Sequence, residues 1–200
     1  MKNKRWILAI VTMITCPCLA QELISSAAKG SQFTIVNKTS VTAIYVDPSD
    51  HPTVKKAAAL LQQDIEQVTG KKPDLLTILP ASATNLIIIG SLDQSVTISK
   101  LAATHKLRTD SLKGKWEAWQ WQVLNTPLTG ISKALVITGS DRRGTAFGVL
   151  ELSKQIGVSP WYWWADVPVK KKQELYLTQN ILPVNAPAVK YRGIFINDEA

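Results

Sequence analysis

The chain has 200 residues, 46% of them hydrophobic and 19% charged, with 23 Lys and Arg against 15 Asp and Glu for a formal net charge of +8. This composition is globular and can supply a sizeable core, which excludes disorder as the default, and the length admits one ordinary domain or one domain with a fragment of another. The positive charge is too mild and scattered for a nucleic-acid surface, and the run Lys170, Lys171, Lys172 reads as a solvated loop.

Residues 1–20 read as a secretory signal: Lys2, Lys4 and Arg5 precede an apolar run over 6–14, and Cys18, Leu19 and Ala20 form a cleavage site ahead of Gln21. The apolar run is shorter than the ~20 residues of a spanning helix, so the mature chain is expected to be soluble and secreted, in a periplasm, with no membrane association after cleavage. A lipoprotein reading through Cys16 or Cys18 is weaker, because neither follows the usual Leu-and-small-residue lead-in. Both cysteines fall within the signal, so no disulfide or thiol chemistry is expected, and cleavage leaves 20 basic residues against 15 acidic, a net +5.

After a polar leader, residues 41–46 alternate as a strand that stops at Asp47-Pro48. Val54, Ala57, Ala58, Leu61, Ile65 and Val68 then recur at helical spacing, with Thr53 as the expected cap and Gly70 as the stop. Short apolar runs over 75–79 and 86–89 predict two strands, and 96–105 predicts a short helix. Trp119, Trp121 and Val123 alternate with Gln120 and Gln122, the period of a half-buried strand, and residues 134–138 supply a hairpin partner. A helix follows over about 144–156, with Phe147, Leu150 and Ile156 turned inward and Gly157 at its end. A strand over 174–177 and a Pro-containing linker over 181–188 complete the domain. Without a strict βαβ rhythm, the pattern predicts an α+β fold, a mixed sheet with helices packed on it.

"TGSDRRGTAFG", residues 138–148, lies between a strand and a helix, where backbone N–H groups can bind phosphate. It lacks both the P-loop Lys and the dinucleotide glycine spacing, so the favoured reading is a tight turn at Gly139 and Gly144 with Asp141 capping the helix. Arg142 and Arg143 then remain as candidates to contact an acidic sugar or a neighbouring domain. "SPWYWWADVP", residues 159–168, if extended, puts Trp161 and Trp163 on one face and Tyr162 and Trp164 on the other; packing is the favoured role, with sugar stacking open. His51 and His105 are expected at the surface, with no metal or other cofactor. Residues 191–196 read as a strand delivering Asn197, Asp198 and Glu199 at its carboxyl end, where a (β/α)-barrel enzyme places its site. Asp198 and Glu199 are adjacent, so they cannot both serve as the separated carboxyl pair of a glycosidase.

Residues 139–172 together with "VKYRGIFINDEA", residues 189–200, resemble the N-terminal region of glycoside hydrolase family 115, the xylan α-1,2-glucuronidases. The resemblance implies an α+β domain like the second domain of β-hexosaminidases over 21–180, a linker over 181–188, and over 189–200 the first strand of an incomplete (β/α) barrel. It further implies an inverting hydrolase removing glucuronic or 4-O-methylglucuronic acid side groups from glucuronoxylan or its oligosaccharides. Substrate-binding candidates are Asn197, Asp198, Glu199, Trp164, Arg142 and Arg143, with no complete catalytic set within these residues, so the 200-residue chain is expected to be inactive on its own. The alternatives are a secreted non-catalytic module binding carbohydrate or a protein through residues 161–164 and, further behind, nucleotide binding at residues 139–144.

Overall fold

Leu86, Ile87, Ile88 and Ile89 are all fully buried, so this strand is covered on both faces and must lie inside a layered structure. The computed structural model describes residues 23–28, 30, 32–178 and 180–193. The elements are β1 (Ile24–Ser25), β2 (Phe33–Val36), β3 (Ile44–Val46), α1 (Pro52–Thr69), β4 (Leu75–Leu76), β5 (Ala83–Ser91), α2 (Val96–Ala103), β6 (Trp119–Asn125), β7 (Ile131–Gly139), α3 (Arg142–Ile156), α4 (Tyr162–Ala165), β8 (Leu175–Leu177) and β9 (Ile181–Asn185). The expected signal over 1–20, with its cleavage point at Ala20, lies outside the described residues.

Among the described residues a six-stranded sheet has the order β4-β3-β5-β7-β6-β9, and a small sheet has the order β1-β8-β2. Strands β4, β3, β5 and β7 are parallel neighbours, whereas β6 runs antiparallel to both β7 and β9. The mixed sheet with packed helices is the architecture that the alternation of patterns predicts. Ile87 and Ile89 of β5 and Leu135 and Ile137 of β7 face a core shared with α1, α3 and the small sheet. Leu86, Ile88, Ala134 and Val136 face the opposite core, with Ile98 and Leu101 of α2. The period of two along each strand thus divides its side chains between two layers.

Helix α1 buries Val54, Ala57, Ala58, Leu61, Ile65 and Val68, the six positions its 3.6-residue period selects. Burying each of the larger side chains contributes about 2 kcal/mol. Gly70 ends the helix at φ 74 and donates its N–H to the Glu66 carbonyl. The start differs from expectation: Pro52 occupies the first turn after His51 and no side chain caps the helix, because proline removes an N–H that would need a cap.

Several other readings are corrected. The polar leader contains β1 and β2: across the small sheet Phe33 lies opposite Leu177 of β8 and Val36 opposite Leu175, and Phe33, Ile35 and Val36 are all buried in the main core. Strand β6 is buried on both faces: Gln120 and Gln122 both donate to the Arg108 carbonyl, at 2.5 and 2.6 Å, beneath the segment that precedes the strand. On α3 Ile156 is buried and Phe147 is half-buried against the main core, as expected, with Val149 and Leu152 beside them, whereas Leu150 is exposed, one position off the buried stripe. Residues 181–185, read as the front of a linker, form edge strand β9 against β6, and an edge tolerates Pro183, which has no N–H to donate. Residues 191–193 carry no strand pairing, and 194–200 lie outside the described residues.

Candidate functional site

Parallel strands β3, β5 and β7 finish at one edge of the sheet, and helices α1, α2 and α3 begin there. Ligand sites in such sheets form outside the carboxyl ends of the strands. The acids at this edge are mostly occupied. Buried Asp47 accepts hydrogen bonds from the Ser49 N–H and hydroxyl (3.0 and 2.7 Å), the Thr97 N–H (2.9 Å) and the Ser95 hydroxyl (3.2 Å). Burial alone would raise its carboxyl, but these bonds outweigh it and bring the group down to about 2. Asp50 accepts from the Ser91 N–H and hydroxyl, both at 2.7 Å, tying α1 to the end of β5.

Asp141 caps α3, as its position predicts: one carboxylate oxygen accepts from the N–H groups of Arg143 (2.9 Å) and Gly144 (2.8 Å). These amides would otherwise receive a phosphate, so their capture argues against the phosphate-loop reading. A side chain at Gly139 would strike the Thr145 backbone, and one at Gly144 the Ala118 carbonyl. The glycines therefore permit close approach, the favoured reading of this motif.

The second Asp141 oxygen accepts the Glu117 N–H at 2.9 Å. Glu117 has a backbone φ of 50, unusual for a residue with a side chain, and its carboxylate is 0% exposed. Two guanidinium groups meet it: Arg143 through Nε at 2.9 Å and Arg192 through a terminal nitrogen. The Arg192 guanidinium also lies 5.5 Å from the centre of the Phe147 ring. Beside these residues is a cavity of about 190 Å³ bounded by His51, Asp93, Trp116, Glu117, Asp141, Arg142 and Arg143, with His51 Nε2 3.3 Å from Asp93.

Of the residues singled out by sequence, Arg142 and Arg143 are thus brought to one cavity, Arg142 exposed and Arg143 engaged with Glu117. Trp164 borders neither this cavity nor the larger one on α1 and α3, and Asn197, Asp198 and Glu199 lie outside the described residues. Glu117 and Arg192 were missed. Glu117 sits in "GKWEAWQW", which reads as a polar turn before a strand, and nothing local signals its partners.

The aromatic segment is not extended. Residues 162–165 form the single turn α4, and Trp161, Trp163 and Trp164 are 63%, 79% and 72% exposed, which overturns the packing expectation for these three rings. So short a turn offers few inward positions, and only Tyr162 packs against the main core. Trp163 and Tyr162 border a cavity of about 580 Å³ over α1 and α3, where burial raises the Asp64 carboxyl. Among the described residues, no cluster of His, Cys, Asp or Glu is placed to hold a metal ion, and no helix is long and apolar enough to cross a membrane.

Fold and site define a layered domain of mixed sheet and helices whose carboxyl edge is closed by its own caps and ion pairs. The chain is GH115-like: it is similar to a solved structure described as "A novel family GH115 4-O-Methyl-alpha-glucuronidase, BtGH115A, with specificity for decorated arabinogalactans", at 34% identity and a TM-score of 0.67. That likeness covers 84% of this chain and 20% of the other, so the chain spans about one fifth of the length of its relative. A second structure, CpGH84D, aligns over 77% of this chain and 22% of its own at 13% identity and a TM-score of 0.43, too distant to carry an argument. No protein-family model and no curated protein matches the chain.

Proposed function

We propose that this chain is the N-terminal part of a secreted glycoside hydrolase that removes glucuronic or 4-O-methylglucuronic acid side groups from a decorated plant polysaccharide, xylan or arabinogalactan. The observation carrying this reading is the 34% identity to a 4-O-methyl-α-glucuronidase across 84% of the chain. In this reading residues 1–20 direct export to a periplasm and are cleaved after Ala20, residues 21–185 form the α+β domain, and the barrel begins within 189–200.

Inverting hydrolysis needs a protonated acid on the leaving oxygen and a base holding water on the opposite ring face, about 6.5–9.5 Å apart. Adjacent Asp198 and Glu199 supply at most one member of that pair, and the other comes from later barrel strands. Asp198 faces the substrate and orders water or a sugar hydroxyl, supported by Asn197 or Glu199. Arg142, exposed and without an ion pair among the described residues, is the cation available to a uronate, with Arg143 beside it. Trp164 offers an open ring face for stacking.

The test uses an enzyme in which this chain continues into a complete barrel, assayed for uronic acid release from glucuronoxylan and from decorated arabinogalactan. Asp198→Ala should lower turnover by roughly 10² or more with little change in melting temperature. A polypeptide of residues 21–200 should match the buffer blank. Unchanged turnover in Asp198→Ala would remove that residue from the site.

The exposure of three tryptophans supports a second reading, a non-catalytic carbohydrate-binding face on residues 161–164. Calorimetric titration of xylo-oligosaccharides into the chain, with and without Trp163→Ala, decides it: absence of measurable heat retires the module.

A further inference from the structure

A carboxylate with no access to water must be neutralised or hydrogen-bonded, because burying it unpaired is costly. Glu117 meets that requirement within its own neighbourhood. Residues 117–118 are clamped by the turn into α3: the Glu117 N–H goes to Asp141 at 2.9 Å, the Ala118 N–H to the Ser140 hydroxyl at 3.0 Å, and the Ser140 N–H to the Ala118 carbonyl at 2.8 Å. Gly144 leaves no room for a side chain against this segment. Glu117 is thereby held in its left-handed conformation, and Arg143, two residues beyond the cap, reaches its carboxylate from the same turn. One guanidinium already balances the charge. The second, Arg192, arrives from 75 residues away in sequence.

Arg192 belongs to the segment by which the chain leaves the domain. Beyond the end of β9 at Asn185, residues 186–193 pair with no strand, and Val189 and Tyr191 are exposed. The fastenings of this segment converge on the turn at residues 116–117 and the face of α3. Lys190 lies 4.7 Å from the centre of the Trp116 ring, and Arg192 reaches Glu117 while its guanidinium sits over Phe147. The other terminal nitrogen of Arg192 donates to the Val189 carbonyl at 2.6 Å and closes the segment into a turn.

We propose that Glu117 is a positioning residue: its buried carboxylate grips Arg192 and sets the place and direction in which the chain leaves the α+β domain toward Asn197, Asp198 and Glu199. The consequence for catalysis rests on the glycosidase reading, whereas the grip does not. A flexible exit would let a carboxylate six residues beyond Arg192 wander, and a misplacement of about 1 Å in a catalytic group can cost 10²-fold in rate. Arg143 has a supporting part, because it meets the Glu117 carboxylate from inside the domain and leaves the other carboxylate oxygen to Arg192.

Nitrogen-15 relaxation on the full 200-residue chain tests the grip without substrate. Glu117→Gln should lower the backbone order parameters at residues 190–193 into the flexible range while β5 and β7 stay rigid. Arg192→Gln should give the same loss of order, the double variant no more than either single one, and Arg192→Lys should retain part of the order. Slowed rotation of the Arg192 guanidinium, read from its nitrogen-15 signals, should disappear in Glu117→Gln. Should Glu117→Gln fail to fold, Arg192→Gln carries the test, since its side chain lies outside the apolar core. Unchanged order parameters at 190–193 in the Arg192→Gln variant, or effects of the two singles that add, overturn the grip. In an enzyme with a complete barrel, Arg192→Gln should lower kcat about tenfold with KM little changed. An unchanged kcat overturns the positioning role even where the grip is real, and a parent enzyme that releases no uronic acid refutes the glycosidase reading while the relaxation result stands.

Discussion

The two ends of α3 are built on opposite terms. At its start Asp141 satisfies two helix N–H groups and the Glu117 N–H, glycines bring backbone against backbone, and Glu117 is enclosed by two arginines. Beyond its end, the Gly157 cap is followed by the single turn α4, where three tryptophans stand in solvent. The first end is held together mainly by contacts between the turn into α3 and residues 117–118. The second leaves three aromatic rings uncovered by the described residues. Contacts are thus dense at one end of the helix and sparse beyond the other, and substitutions at the two ends should differ accordingly.

The largest difference is expected at Gly139→Ala. The added methyl meets the Thr145 backbone, which cannot rotate away as a side chain tip can, so the turn into α3 must shift. A loss of about 3 kcal/mol in urea unfolding is expected, against a change within about 0.5 kcal/mol for Trp164→Ala. Equal effects at the two positions would erase the contrast.

A smaller effect, read through pH, is expected at the same edge of the sheet. Asp47, at the same carboxyl edge as the start of α3, has its carboxyl lowered from the ordinary value of 3.8 to about 2. The stability it contributes is therefore fully present above pH 3.8 and is lost as pH falls through about 2; a shift of this size corresponds to about 2 kcal/mol. Denaturation curves between pH 5 and 2 should show this loss, and Asp47→Asn should flatten that part of the profile. The same slope in the variant would assign the acid sensitivity elsewhere.

The smallest effect on stability is expected from replacing Trp161, Trp163 and Trp164 together by serine. These rings are mostly in water, so the melting temperature should barely move, whereas hydrophobic-dye binding and self-association should fall. A melting temperature lowered by several degrees would show that the rings stabilise the domain itself.

Much of the architecture was legible because it depends on neighbours a few residues away. The six buried positions of α1 follow from a 3.6-residue period, the stop at Gly70 from its tolerance of positive φ, and the cap of α3 from an aspartate just before its first turn. The β6–β7 hairpin was visible in alternation. The candidate site was legible only in part: Arg142 and Arg143 could be placed at a strand-to-helix turn, but not the carboxylate that Arg143 meets.

What tertiary structure alone decided has a common cause, a partner far away in sequence. Gln120 and Gln122 are buried because a preceding segment presents the Arg108 carbonyl to them. Residues 181–185 become a strand because β6 leaves an edge open, despite a proline that reads as a linker. Trp161 to Trp164 leave three rings in solvent because the described residues supply no layer over them. Glu117 and Arg192 are 75 residues apart, and in the sequence each is an ordinary charge in a polar stretch. Helical period, caps and turns follow from backbone sterics over a few residues, so the sequence determines them by itself. The pairing of a buried charge depends on which distant group the finished fold carries to it, and only the packed chain decides that.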